Sequence, residues 1–191
     1  MNEPRRCAWC NLKNPLYVTY HDREWGQLRL DDAYLFEMLV LESFQAGLSW
    51  ECVLNKREDF RRAYDAFDPM IISTYGDEKL QSLLTDPTLI RNGRKARATV
   101  SNSRVFLAIA QEYGSFSRYL RSFTGEEILY ETGKTKSPLS DAISRDLYAR
   151  GMRFVGPTVI YSYLQAIGLI HSHDPDCYLY RAARTTTPKE Q

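Results

Sequence analysis

Apolar residues along this chain recur mostly at helical spacing, so the pattern predicts helices and almost no strands. From an expected N-cap at Asp32, the run AYLFEMLVLESF is apolar nearly all round; it predicts a helix in the middle of the fold, broken at Gly47. Ser49 can cap a second helix, WECVLNKREDFRRAYDAF, in which Trp50, Val53, Leu54, Arg57 and Phe60 share a face before Asp68-Pro69 ends it. A short helix is expected over DEKLQSLL. A longer one is expected from about Arg94 to Gly114, with Ala96, Val100, Ser103, Leu107 and Ala110 on its stripe. TGEEILYETGKTKS reads as a connecting loop. Ser137-Pro138 opens a helix that presents Leu139, Ile143 and Leu147 and stops at Gly151; a last one runs from about Pro157 to Ile167. Residues 181–191 are polar and aperiodic, and are expected to be disordered.

Composition narrows the class. A chain of 191 residues, 43% of them apolar, can bury one sizeable core, read as a single all-α unit over 1–180 or as two lobes of one. No apolar run approaches the roughly 20 residues of a membrane span, and MNEPRRCAWC lacks the apolar stretch of a secretory signal. A cytoplasmic protein without membrane contact is therefore expected. Four cysteines in a chain this long suggest thiols or metal ligands rather than a disulfide framework. A net charge of +1 gives no strong global field, so nucleic-acid contact would rest on local cations, backbone amides and stacking. Arg91, Arg94, Lys95, Arg97 and Arg104 offer such cations, but a basic helix face serves equally as solvated surface.

Three features carry chemistry. In ARGMRFVGPTVIYSYLQAIG one helix ends at Gly151, a short turn reaches Gly156, and Pro157 with Thr158 opens the next. This is the pattern of a helix-hairpin-helix whose free N–H groups suit a phosphate oxygen, although an ordinary αα-hairpin fits it as well. HSHDPDC sets His173 and Cys177 at a usable zinc spacing, and Cys7, Cys10 and His21 lie near the other terminus. Four ligands drawn from both ends would fill a tetrahedral shell and make the metal structural. Free thiols and surface histidines are an equal reading, with Cys10 and His171 as competing ligands. Finally, Leu35, Leu39 and Glu42 fall at i, i+4 and i+7, placing a carboxylate on an apolar stripe, unless Glu42 sits at a frayed, wet helix end. Trp9, Tyr17, Tyr20, Trp25 and Trp50 lie nearby in sequence, and rings around one acid make a cage for a flat cation.

Taken together, CAW, NPLYVTYHDREWG, LFEMLVLESFQAGLSW, KRE, RGMRFVGPT and SYLQAIGL followed by HxxxC resemble the bacterial DNA-3-methyladenine glycosylase I family, collinearly from about Arg5 to Cys177. The resemblance implies an all-α, helix-hairpin-helix DNA glycosylase fold with one structural zinc joining the N- and C-terminal segments. It also implies an enzyme that flips out and hydrolyses 3-methyladenine from alkylated double-stranded DNA. By matching positions it places the zinc ligands on Cys7, His21, His173 and Cys177. The base pocket falls on Glu42, the expected catalytic residue, with Trp9, Tyr17, Tyr20, Trp25 and Trp50 around it. DNA contacts fall on Gln45, Gly47 and Leu48, the last as the wedge that fills the gap, and on Gly156 and Thr158 of the hairpin. Asp174 and Asp176 then read as loop residues beside the zinc ligands rather than as a catalytic aspartate, and no lysine is placed for a Schiff base, so no strand cleavage is expected. A monomer without an obligate protein partner is expected. A catalytically silent damage sensor would keep the cage and hairpin; a zinc-stapled helical adaptor would keep only the zinc.

Overall fold

The structure, a computed structural model, describes residues 3–182. The expectation of a disordered tail falls, from residue 183 on, outside the described residues. Among the described residues ten α-helices follow in order: α1 Pro15–Arg23, α2 Asp32–Gln45, α3 Trp50–Leu54, α4 Arg57–Ala63, α5 Pro69–Ile72, α6 Asp77–Thr85, α7 Gly93–Tyr113, α8 Phe116–Thr124, α9 Pro138–Ala149 and α10 Pro157–Ala166. Two short strands, β1 Leu129–Tyr130 and β2 Ile170–His171, pair in parallel, with Leu129 opposite Ile170 and Tyr130 opposite His171.

α2 is the centre. Every residue from Tyr34 to Phe44 is buried, and α3, α7, α8 and α10 all pack on it, as expected of a helix apolar on every side. Its N-cap is Asp31, whose side chain accepts from the Tyr34 N–H, not Asp32. Asp32 instead turns outward and accepts from the backbone N–H groups of Phe116 and Ser117, so it caps α8 from the neighbouring helix.

The other departures have local causes. α1 escapes a reading based on aliphatic periodicity because its buried face is Tyr17, Tyr20 and His21. Its start is nevertheless marked by Asn14, which caps the Leu16 and Tyr17 N–H groups, and by Pro15 at the first helical position. The single helix expected over 50–67 is interrupted at Lys56, which leaves helical geometry and donates to the Thr88 carbonyl over 2.7 Å. It then closes in a 3₁₀ turn, Asp65–Phe67, all at positive φ, with Phe67 buried. α8 follows Gly114 at once, capped by Ser115. On α7 the buried stripe runs through Ala96, Val100, Ser103, Phe106 and Ile109, while Leu107 and Ala110 are only half-buried, because a straight helix drifts off a strict repeat of seven. The segment read as a plain loop, 124–137, is pinned by β1 and by the Tyr161 hydroxyl, which donates to Glu131.

Two connections align the elements that carry the site. Arg57 of α4 spans Glu24 at the end of α1 and Glu37 of α2, and the Tyr34 hydroxyl also donates to Glu24. Gly168, at φ +79°, lets the backbone of Gln27 and Leu28 pass directly over the end of α10, where the Arg29 N–H donates to the Ile167 carbonyl. A Cβ at 168 would lie 2.4 Å from the Gln27 carbonyl carbon. Gly168→Ala is therefore expected to cost roughly 2–4 kcal/mol, from left-handed strain plus overpacking. Gly76→Ala, at an open position with ordinary φ, is expected to cost no more than about 1 kcal/mol, the loss of a favourable N-cap residue. Urea denaturation of both variants checks the contrast; equal stabilities would remove the close approach from the account.

Candidate functional site

The N-terminal segment and the turn after β2 meet side by side. The Tyr178 N–H donates to the Arg5 carbonyl, the Ala8 N–H to Asp174, and Arg5 pairs with Asp176. Between these contacts sit Cys7, His21, His173 and Cys177, all buried, with one ligand atom of each within 4.8 Å of the others. The Cys7 Sγ lies 3.3 Å from His173 Nδ1, and the Cys177 Sγ lies 3.5 Å from His21 Nε2 and 3.6 Å from His173 Nδ1. Such a cluster can hold a metal ion. The remaining nitrogen of His21 faces Asp22 at 2.8 Å, and Arg6 holds Asp22 in turn, keeping its carboxyl down at about 2. The backbone N–H of Asp174 points at the Cys7 sulfur and that of Leu179 at the Cys177 sulfur. Burial pushes the Cys7 thiol well up and lowers His173 to about 4, so the imidazole is neutral, as a ligand must be.

The competing ligands are accounted for elsewhere. The Cys10 Sγ faces the Tyr17 carbonyl, and the His171 Nε2 accepts from the Arg181 N–H. Asp174 and Asp176 face the N-terminal segment, where they help join the chain ends.

Directly behind the cluster lies a cavity of about 210 Å³ lined by Trp9, Tyr17, Tyr20, Trp25, Glu42, Gln45, Trp50, Ser162 and Gln165. Its walls share rings with the cluster. Trp9 stands 4.8 Å from Trp25 and 5.2 Å from His21, and Trp25 meets His173 edge-on at 4.7 Å. On the other side Tyr20 and Trp50 pack at 5.2 Å. All six residues read from the sequence as a base pocket thus line one cavity. Ser162 and Gln165 were missed. With Thr158 they form a polar line at i, i+4 and i+7 on an otherwise apolar helix, and that line is the signal that could have found them.

Glu42 is only 4% exposed, which removes the frayed-end reading. Burial alone raises its carboxyl to about 8; no neighbouring cation compensates. Among the described residues three polar side-chain atoms are buried without a partner, Glu42 Oε2, Trp50 Nε1 and the Tyr163 hydroxyl, and the first two belong to this cavity. A cavity that offers both an orphaned acceptor and an orphaned donor is built to receive a polar ligand.

Beyond Glu42 a second groove continues outward, lined by Gln45, Ala46, Gly47, Leu48, Thr158, Val159 and Ser162. Gly47 takes φ +83° and Leu48 is 43% exposed, so an apolar side chain stands at the tip of a tight turn. Across the groove the N-terminus of α10 has no side-chain cap: Gly156 is the N-cap and Pro157 follows it. Gln45, Gly47, Leu48 and Thr158 therefore bound one groove, and Gly156, two residues before Thr158, is not among the residues that line it.

Known proteins add a further finding. The family described as methyladenine glycosylase matches residues 9–181. "DNA-3-methyladenine glycosylase 1" of Escherichia coli (strain K12) is 39% identical over 181 residues, 92% of this chain and 96% of that protein. A crystal structure of a 3-methyladenine DNA glycosylase I superposes with a TM-score of 0.88 at 39% identity, covering 93% of this chain and all of that one. A variant of 3-methyladenine DNA glycosylase I solved in complex with 3-methyladenine gives 0.86 at 34% identity, covering 91% of this chain and 96% of that one.

The state of Glu42 makes a prediction of its own. Its folded value of about 8 lies above the ordinary 4.5, so between those two pH values the unfolded chain loses a proton that the folded chain keeps. Wild-type stability contains a component that falls as pH rises from 4.5 to about 8 and is flat above. Glu42→Gln lacks that component, so its stability relative to wild type is expected to climb through this window. Chemical denaturation at a series of pH values measures it, and a constant difference would mean that Glu42 is solvated.

Proposed function

This chain belongs to the DNA-3-methyladenine glycosylase I family of glycosidases, and from that premise we propose that it excises 3-methyladenine from alkylated double-stranded DNA by hydrolysis alone, leaving the strand uncut. The observation that carries this reading is the unpartnered carboxyl of Glu42 inside a cage of Trp9, Tyr17, Tyr20, Trp25 and Trp50.

Methylation at N3 gives adenine a positive charge and weakens its glycosidic bond, so the enzyme needs less acid catalysis than selection. Five electron-rich rings favour a flat cation over a neutral base, each close contact being worth about 0.5–2 kcal/mol. Glu42 is neutral in the empty pocket at pH 7; a cationic base arriving beside it favours the carboxylate, which releases its proton to solvent and accepts a hydrogen bond from the base. Neutral adenine offers no charge to repay this ionisation. Water then adds to the sugar C1′ as the bond to the base breaks. The bonding electrons leave with the base and cancel its charge, and the water gives up its proton to solvent.

To reach the cavity the nucleotide must leave the stack, which costs a few kcal/mol. We read Leu48 as the side chain that fills the gap, with Gln45 and Gly47 shaping its turn. Gly156 and Thr158, at the uncapped start of α10, offer backbone N–H groups to a phosphate, and α9 with α10 act as the helix-hairpin-helix. No lysine lines the cavity, which supports hydrolysis over a Schiff-base route.

We assign zinc to Cys7, His21, His173 and Cys177. Ordinary Zn–S and Zn–N bonds in a tetrahedron set the ligand atoms roughly 3.5–3.8 Å apart. The three sulfur to nitrogen separations of 3.3, 3.5 and 3.6 Å are close to that. The ion would neutralise two thiolates and pin the chain ends, and with four protein ligands it leaves no position for substrate.

Incubation with methylated DNA should release 3-methyladenine but not 7-methylguanine, and Glu42→Ala should lower that release on the order of 10- to 100-fold, the worth of one charged hydrogen bond. Release at the wild-type rate by Glu42→Ala would overturn the role of Glu42. Tryptophan quenching by free 3-methyladenine without any release from DNA would instead make the chain a damage-binding protein. Metal analysis should return one zinc per chain. Cys7→Ser and His21→Ala should lose it and melt roughly 5–15 °C lower, whereas Cys10→Ala should keep it. Loss of zinc in Cys10→Ala would move the ligand set.

A further inference from the structure

Lys95 is 6% exposed, in the first turn of α7, and no carboxylate pairs with it among the described residues. Its ammonium donates to the Phe44 carbonyl and to the Ala46 carbonyl, each over 2.6 Å. These acceptors sit at the C-terminus of α2, where backbone carbonyls lose their helical partners. The intervening carbonyl, that of Gln45, is taken by the Leu48 N–H over 2.6 Å. Three consecutive carbonyls are thus fixed by two donors, and the turn they define carries Gln45, Gly47 and Leu48. The Lys95 ammonium also lies 6.0 Å from the Phe44 ring and 5.8 Å from the ring of Phe154, which precedes the start of α10 by three residues. One buried cation therefore braces the bank of the groove that carries Ala46 and Leu48, and lies 5.8 Å from the Phe154 ring in the turn that leads to the other bank.

We propose that Lys95 is the positioning residue for the duplex-probing turn: it holds Leu48 at the height and angle needed to occupy the gap left by a flipped base. The inference rests on the reading of this chain as a base-excising enzyme. Lys95 does not line the cavity that holds Glu42, and its ammonium is spent on the Phe44 and Ala46 carbonyls, so it makes no contact with a base bound there. Nor is Lys95 a general stabiliser of the pocket walls, since its hydrogen bonds go to Phe44 and Ala46 and its nearest rings are Phe44 and Phe154, none of which lines the cavity.

The role separates two substrates. A wedge matters where a partner strand leaves a gap to fill and matters little where the base is already unstacked. Lys95→Met keeps the length and apolar stem of the side chain and removes the donor; Lys95→Gln keeps a shorter donor. In single-turnover excision of 3-methyladenine, Lys95→Met is expected to lose about tenfold or more on duplex DNA, since a misplacement of about 1 Å far from the chemistry can cost 100-fold. On the same methylated DNA as single strands it should stay within about threefold of wild type, and tryptophan quenching by free 3-methyladenine should be unchanged. Lys95→Gln should fall between the two. If Lys95 works through Leu48, the duplex losses of Lys95→Met and Leu48→Ala will not add in the double variant. Equal losses on both DNA forms, fully additive losses, or no duplex loss in a folded Lys95→Met would each overturn the assignment, and an unfolded Lys95→Met would leave Lys95→Gln to decide by the same criteria. A wild-type chain that excises nothing would bring down the underlying functional reading instead, and this inference with it.

Discussion

The pocket depends on the two ends of the chain being held together. Trp9, Tyr17, Tyr20 and Trp25 come from the first α-helix and the segments flanking it, where local periodicity is weak and a nine-residue helix has little stability alone. Their placement comes from the seam in which Cys7 and His21 meet His173 and Cys177. The histidine rings of that seam are also the surface against which Trp9 and Trp25 pack. A shift of the seam is a shift of the cage. Arg57 with its two glutamates secures the other edge of the same segment, and the passage over Gly168 fixes how closely it approaches α10.

Against this clamped wall stands a deliberately uncomfortable group. A central helix buried on all sides would be more stable with leucine at position 42 than with a carboxyl that has one oxygen unpaired. On the proposed reading, the energy withheld from folding is returned when a ligand supplies charge and hydrogen bonds in its place, and discrimination follows from what the empty pocket lacks. Shape would then contribute less: rings tolerate any flat base, whereas an orphaned carboxyl distinguishes one with positive charge.

Much of this was legible in the sequence. The spacing of Leu35, Leu39 and Glu42 put the acid on an apolar stripe but left a wet helix end open, and the cysteines and histidines near both ends suggested a seam whose four members, Cys7, His21, His173 and Cys177, only the family resemblance singled out. The reading failed where side chains act on helices other than their own. Asp32 looked like the cap of α2 because caps are sought locally, but it serves α8. Lys95 looked like one more cation on a basic face, because nothing in its neighbourhood along the chain reveals carbonyls some 50 residues away. α1 was invisible because its buried face is aromatic and histidine, residues whose role is set by the cavity and the seam rather than by the core. Ser162 and Gln165 were passed over for the converse reason: on an apolar helix they resemble tolerated polar positions until α2 is placed opposite.

The arrangement also explains why cavity and groove are continuous. Glu42, Gln45 and Ser162 line both, so the buried acid of the cavity is one helical turn from the exposed turn that borders the groove. α2 is rigid up to Phe44 because it is enclosed on every side, and it becomes an exposed turn within four residues. That abrupt change is possible only because its terminal carbonyls are satisfied from outside the helix. If Leu48 is the wedge we propose, a flexible end there would uncouple its insertion from presentation of the base to Glu42. A braced end would make the two a single movement of the DNA relative to one fixed edge of the protein.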